Sequence, residues 1–157
     1  NYTNMAAAPA GEMILALFNM NSKDNIEYSN SICHAFALIG MIQDIYEDIL
    51  KDRLYIPTNQ MKKFNLRIAD IYNKEFNDDW KKFKKSWVNL IELNLSLGLP
   101  LLKNTKGRLN LQLKIMISAA NLLTSRIKMD DCDLFIKPPK LSKIDWLLLF
   151  CRCIILK

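Results

Sequence analysis

Gln43-Asp44-Ile45-Tyr46-Glu47-Asp48, followed by Asp52-Arg53-Leu54-Tyr55-Ile56-Pro57, is the stretch that decides how this 157-residue chain is read. Asp44 and Asp48 are four residues apart, so on a helix they stack one turn above the other, with Glu47 on the neighbouring row. Like charges at this spacing repel by roughly 0.2–0.5 kcal/mol on an exposed helix. The cost rises on burial, so a chain that keeps such a pair commonly supplies a cation. All-oxygen donors favour a hard ion, and Mg²⁺ binds through one or two carboxylates while completing its shell with water and phosphate oxygens. The pattern points to Asp44 and Asp48 as metal ligands beside a diphosphate. The competing reading is a solvated acidic helix face.

The surroundings favour the first reading. Met41, Gly40 and Ala37 precede Asp44 on the same face, and Ile39, Ile42, Ile45 and Ile49 occupy the flanks, so the helix is apolar nearly all round. A helix of that kind is a buried one. The expectation is that the carboxylates face an interior cavity, with a hydrocarbon tail along small or apolar side chains and its charged head at the acidic end.

The rest of the chain predicts an all-α domain. Helices are expected at about 2–20, 25–52, 66–74, 77–99, 107–129 and 141–155, with Pro57, Pro100 and Pro138-Pro139 punctuating the gaps. Half the residues are hydrophobic and only 4 are Gly and 5 Pro, which suits one core and no disordered tract. The four cysteines, at 33, 132, 151 and 153, form no C-x-x-C, and a reducing, cytoplasmic setting is the simpler reading. No segment reaches the roughly 20 predominantly apolar residues a membrane span needs. The net charge of +6 is compatible with nucleic acid, an anionic membrane surface or phosphorylated substrates. Its lysines at 62–63, 81–82 and 84–85 read as a solvated helix face, which disfavours nucleic acid and leaves peripheral contact with anionic lipid as the minor alternative. Trp87, Leu90, Ile91, Leu93, Leu95 and Leu97 read as core. His34 has no partner at catalytic spacing and reads as structural, and Asp130 to Asp133 reads as a helix-end turn because it lacks the glycine and terminal glutamate of a calcium loop.

These motifs together resemble the squalene/phytoene synthase family, in particular its bacterial hopanoid squalene-synthase branch. Asp44 to Asp48 and Asp52 to Pro57 match the second aspartate-rich motif, D-x-x-E-D followed by G-R-x-Y-L-P. Upstream, Tyr2 to Gly11 is similar to Y-C-x-x-x-A-x-P-x-G, and Leu17-Phe18 fits the L-F that follows. Ser29 to Cys33 sits at S-D-A-I-C, while Cys132 to Phe135 and Leu141 to Lys143 fall at the closing Y-D-V-F and L-S-K segments.

The resemblance implies an isoprenoid-synthase-type helical bundle around a central cavity, and the chain reads as a single partial domain, 1–157, without the N-terminal helices that carry the first aspartate-rich motif. It implies a prenyltransferase that joins two farnesyl-type diphosphates head to head. Mg²⁺ would be held by Asp44 and Asp48, Arg53 would pair with diphosphate oxygens, Tyr2 and Tyr55 would border the cavity, and Glu47 would support the metal from behind. Ala37 and Gly40 occupy the positions where the family commonly has a glutamine and an asparagine, so with Met41 they would line the cofactor end without binding phosphate. Asp52 stands at the motif's glycine, Thr3 at its cysteine, and Ala120 near an aromatic hydroxyl of the penultimate helix. These departures support a rival reading, a non-catalytic descendant that keeps the fold and binds a lipid or partner.

Overall fold

The computed structural model describes residues 6–155, and among them there is no strand. Tyr2 and Thr3 lie outside the described residues. Helix α1 (Ala8–Leu17) starts with Pro9 in its first turn, where a missing N–H costs nothing. Helix α2 (Lys23–Gln43) begins at Ser22, whose Oγ accepts the Asn25 N–H at 3.4 Å. The short helices α3 (Ile45–Ile49), α4 (Thr58–Lys63) and α5 (Ile68–Tyr72) follow. Next come the long α6 (Asp78–Gly98), the single turn α7 (Leu101–Asn104), the long α8 (Gly107–Lys128) and α9 (Lys143–Ile155).

Helix α2 is the central element, packed chiefly on α6 and also on α1 and α8. Two glycines set the closest approaches. A Cβ at Gly98 would stand 2.3 Å from Ile32 Cγ1 and 2.9 Å from the Tyr28 carbonyl, so α6 crosses α2 at near-backbone distance. A Cβ at Gly11 would stand 2.4 Å from Ser29 Oγ and 2.8 Å from Cys33 Sγ, which is how α1 lies close on α2.

The core is aromatic at one end. Asn77 Oδ1 accepts the N–H groups of Asp79 and Trp80 and opens α6, whose buried stripe is Trp80, Phe83, Trp87, Ile91 and Leu95. Trp80 meets Phe83 and Phe135 edge-on at 5.7 and 4.9 Å between ring centroids. Phe135 gets there by a tight turn after α8, in which Asp133 Oδ1 accepts the N–H groups of Phe135 and Ile136. The Asp130–Asp133 run is thus part of the helix-end turn expected of it.

Three expectations need correction. Only the 3.6-period stripe of α6 is core: Leu90, Leu93 and Leu97 on its other side are exposed. The lysine face is not uniformly solvated, because Lys84 is only 5% exposed and donates to the carbonyls of Met129 (2.7 Å) and Cys132 (3.0 Å). Those carbonyls follow the end of α8, where backbone acceptors have no helical partners. Helix α2 was expected to be buried all round. It buries Ser29, Ile32, Ala35, Ile39 and Ile42 and half-buries the rest of its length from Tyr28 to Gln43, but Asp44, at its C-terminal end where the helix breaks, is exposed. Helix α9 is open, with Leu149 its one buried residue. No helix of the described residues is long and apolar enough to cross a membrane.

Candidate functional site

The expected helix over 25–52 breaks at Asp44, whose φ/ψ of −99°/4° separates α2 from α3. Hydrogen bonding nevertheless runs through the break: Asp44 N–H donates to the Gly40 carbonyl at 3.0 Å and Asp48 N–H to the Asp44 carbonyl at 2.8 Å. Asp44 and Asp48 therefore stay one turn apart, as the spacing requires. Partial desolvation at the helix break raises the Asp44 carboxyl even though the residue is exposed, and the charges of Asp48 and Glu47 push it further in the same direction. Lys140 and Lys51 oppose the shift. This is the electrostatic signature of carboxylates crowded at one helix junction and short of positive charge.

Helix α3 ends in a left-handed turn. Asp52 has φ of 53°, its N–H donates to Ile49 O at 3.1 Å, and the Arg53 N–H returns to Asp48 O at 2.9 Å. That pair of bonds is the helix C-terminal closure in which glycine is preferred, so the G-R-x-Y-L-P motif calls for glycine on backbone grounds. The turn brings the backbone of Arg53 onto the Asp48 carbonyl, with the Arg53 side chain exposed. Tyr55 follows at 37% exposure, and Ile56 is buried and anchors the segment.

A second layer comes from the far end of the chain. The Gln43 side-chain amide donates to the Pro139 carbonyl, and Lys140 Nζ lies 3.9 Å from Glu47 Oε1. Arg126 Nη1 holds the Lys140 carbonyl at 2.9 Å, and its two guanidinium nitrogens bind both oxygens of Asp145 at 2.9 and 2.6 Å. Asp145 Oδ2 also accepts from Ser142 N–H and Oγ–H, while Ser142 Oγ accepts the Asp145 N–H, a reciprocal cap for α9. The result is a cleft of about 770 Å³ walled by Gln43, Tyr46, Glu47, Lys74, Arg126 and Lys140.

On the other side of Gln43 an apolar trough begins. Two cavities of about 270 and 280 Å³ share Phe36 and Met116. The first is lined by Gly40, Gln43, Ala120, Leu123 and Trp146, and the second by Cys33, Ser29, Gly11, Ile14 and Leu113. From Ser29 to Gln43 the trough follows α2 for about 20 Å at 1.5 Å per residue. Gln43 ends the trough and also walls the cleft that holds Glu47, so the apolar groove and the acidic turn adjoin at one residue, while Asp44 and Asp48 line neither.

Of the sequence-derived residues, Asp44, Glu47 and Asp48 come together at the α2–α3 junction, Gly40 lines the trough, and Arg53 follows on the turn after α3 with its side chain exposed and in no ion pair among the described residues. Met41 does not join them: it packs against the main core. Ala37 is half-buried on α2 and lines neither cavity. Among the described residues no three metal-ligating side chains form a ready-made cage. Two stacked carboxylates still suit Mg²⁺, which takes one or two and fills its shell from water and phosphate. Lys140 and Arg126 were missed, since nothing local links them to a motif more than 70 residues earlier. Gln43 was visible within the motif, but its role as a tether was not.

The squalene/phytoene synthase model matches residues 1–145, and the chain belongs to that family. It is 29% identical over 69 residues to presqualene diphosphate synthase of Rhodopseudomonas palustris, an alignment covering 44% of this chain and 25% of that protein. The crystal structure of squalene synthase HpnC from Alicyclobacillus acidocaldarius superposes with a TM-score of 0.76 at 23% identity, over 81% of this chain and 48% of that one. The all-α fold is that of these enzymes, and the chain spans about half of that structure's length and a quarter of the curated relative's.

Proposed function

We propose that this chain forms the second-aspartate-motif half of a prenyltransferase site, one that joins two farnesyl-type diphosphates head to head with release of diphosphate. The observation that carries the reading is the junction at Gln43, where an apolar trough about 20 Å long meets the polar cleft bordered by Glu47, with Asp44 next in sequence. The trough would bind the hydrocarbon and exclude water from the allylic carbon, since its lining from α1, α2 and α8 is almost wholly apolar. Asp44 and Asp48 would hold Mg²⁺, which when bound supplies charge neutralisation for the departing diphosphate. Arg53, on the turn after α3, would pair with phosphate oxygens, and Tyr55 would border the head-group end. The exposed apolar face of α9 suits peripheral contact with the membrane that takes up such a product.

The test is calorimetry with Mg²⁺ and a non-hydrolysable farnesyl diphosphate analogue. Asp44→Asn with Asp48→Asn should abolish Mg²⁺-dependent binding while leaving the helical circular dichroism unchanged. Equal Mg²⁺-dependent affinity in both proteins refutes the site.

The absence of amide side chains at positions 37 and 40 favours a second reading, a non-catalytic lipid-binding descendant. A Cβ at Gly40 meets nothing within 4 Å, so Gly40→Asn with Ala37→Gln can be accommodated. Product from the restored protein, or more of it than from the native one, supports an enzyme whose positioning groups are reduced; no squalene-type product from either leaves the binding protein.

A further inference from the structure

We propose that Lys140 is a resident counter-cation of the Asp44/Glu47/Asp48 cluster, held there by the fold so that it competes with the metal ion. The inference rests on the metal-site reading above and assigns it a residue that the aspartate-rich motif does not contain.

The geometry is a two-point tether. The Gln43 amide grips the carbonyl of Pro139 from the α2 side. The Arg126 guanidinium grips the carbonyl of Lys140 at 2.9 Å from the α8 side, and it is itself fixed by its paired bonds to Asp145. Pro138 and Pro139 fix two backbone φ angles immediately before Lys140. The backbone carrying Lys140 is thereby pinned between two long helices, and its ammonium reaches 3.9 Å from Glu47 Oε1. Lys140 also acts on Asp44, although the six helices α3 to α8 separate the two in sequence. Lys51 is the other cation felt by Asp44, but it sits on the turn after α3 and has no such tether.

The pair is exposed, at 72% and 57% of side-chain area, so its strength is modest. A cation in this position lowers the repulsion among the carboxylates when no metal is bound and raises the cost of bringing Mg²⁺ in. Removing it should therefore tighten Mg²⁺ binding by about two- to fivefold, the range measured for exposed ion pairs. Lys137 lines the same cleft and makes no ion pair with Glu47, so it controls for the general field.

The experiment titrates Mg²⁺ alone, without substrate, into the native protein, Lys140→Gln and Lys137→Gln, following heat release and the rise in Tm. The expected result is a two- to fivefold lower Mg²⁺ midpoint for Lys140→Gln and a smaller change for Lys137→Gln. An unchanged or weakened midpoint for Lys140→Gln overturns the proposal while the metal site stands. Equal gains in both variants overturn it in favour of net charge. Failure of Mg²⁺ to bind any of the three overturns both this proposal and the metal-site reading.

Discussion

Replacing Lys84 by Met tests whether a charge that the sequence pattern places in solvent in fact closes the end of α8. The substitution keeps the length and apolar stem of the side chain but removes the donor. The Cys132 carbonyl, at 3.0 Å, then loses its partner, the Met129 carbonyl, at 2.7 Å, keeps only the Cys132 N–H at 3.1 Å, and the contact of the ammonium 5.4 Å above the Phe76 ring goes too. Each unpartnered buried acceptor costs about 1–3 kcal/mol. Met129 is 54% exposed, so water can recover part of that loss, and Met avoids the desolvation of an ammonium. The expected net loss is about 1–2 kcal/mol, or roughly 2–8 °C in Tm for a chain of this size. Urea denaturation followed by circular dichroism and by the fluorescence of Trp80 and Trp87 measures it, with a lower midpoint and an unchanged slope. A loss within about 0.5 kcal/mol, the range of ordinary surface substitutions, refutes the argument and returns Lys84 to the solvated face.

Asp52→Gly should stabilise the protein by about 0.5–1 kcal/mol, since a left-handed backbone is strained for a residue with a Cβ and free for glycine, less what glycine costs in the unfolded chain; a drop in Tm would contradict the turn geometry. Asp70 bears on acid stability: burial alone would raise its carboxyl, but hydrogen bonds from Arg67, Asn77 and Trp80 outweigh it and hold the group below the usual carboxylate range. Its stabilising contribution is therefore complete above the unfolded value of about 3.9 and is lost as pH falls through the lower folded value. Asp70→Asn should lower Tm at neutral pH and make the fall in Tm below about pH 4 shallower; a Tm–pH curve parallel to the native one would exclude Asp70 as a contributor.

Much of this was legible in the sequence because it is written in short-range periodicity. Asp44, Glu47 and Asp48 had to share a helix end at i, i+3 and i+4 spacing, and the helical content follows from apolar repeats and proline punctuation. The glycine position of the motif, occupied by Asp52, was also readable, although its left-handed φ was not. Periodicity cannot say which face of an all-round apolar helix finds a partner. Burial is decided by what packs there, and that is why Met41 went to the core, Asp44 stayed open and α9 exposed all but Leu149. Residue type likewise could not distinguish Lys84 from Lys81 and Lys82. The last two pair with Asp78 and Asp79 one turn away, whereas Lys84 finds its acceptors 45 and 48 residues later. Local sequence thus determined the helices, the stacked carboxylates and the family to which they belong. Only the tertiary structure decided that Gln43, Arg126 and Lys140 converge on them, because contacts across 96 and 14 residues depend on where long helices bring the chain back, and no local pattern encodes that return.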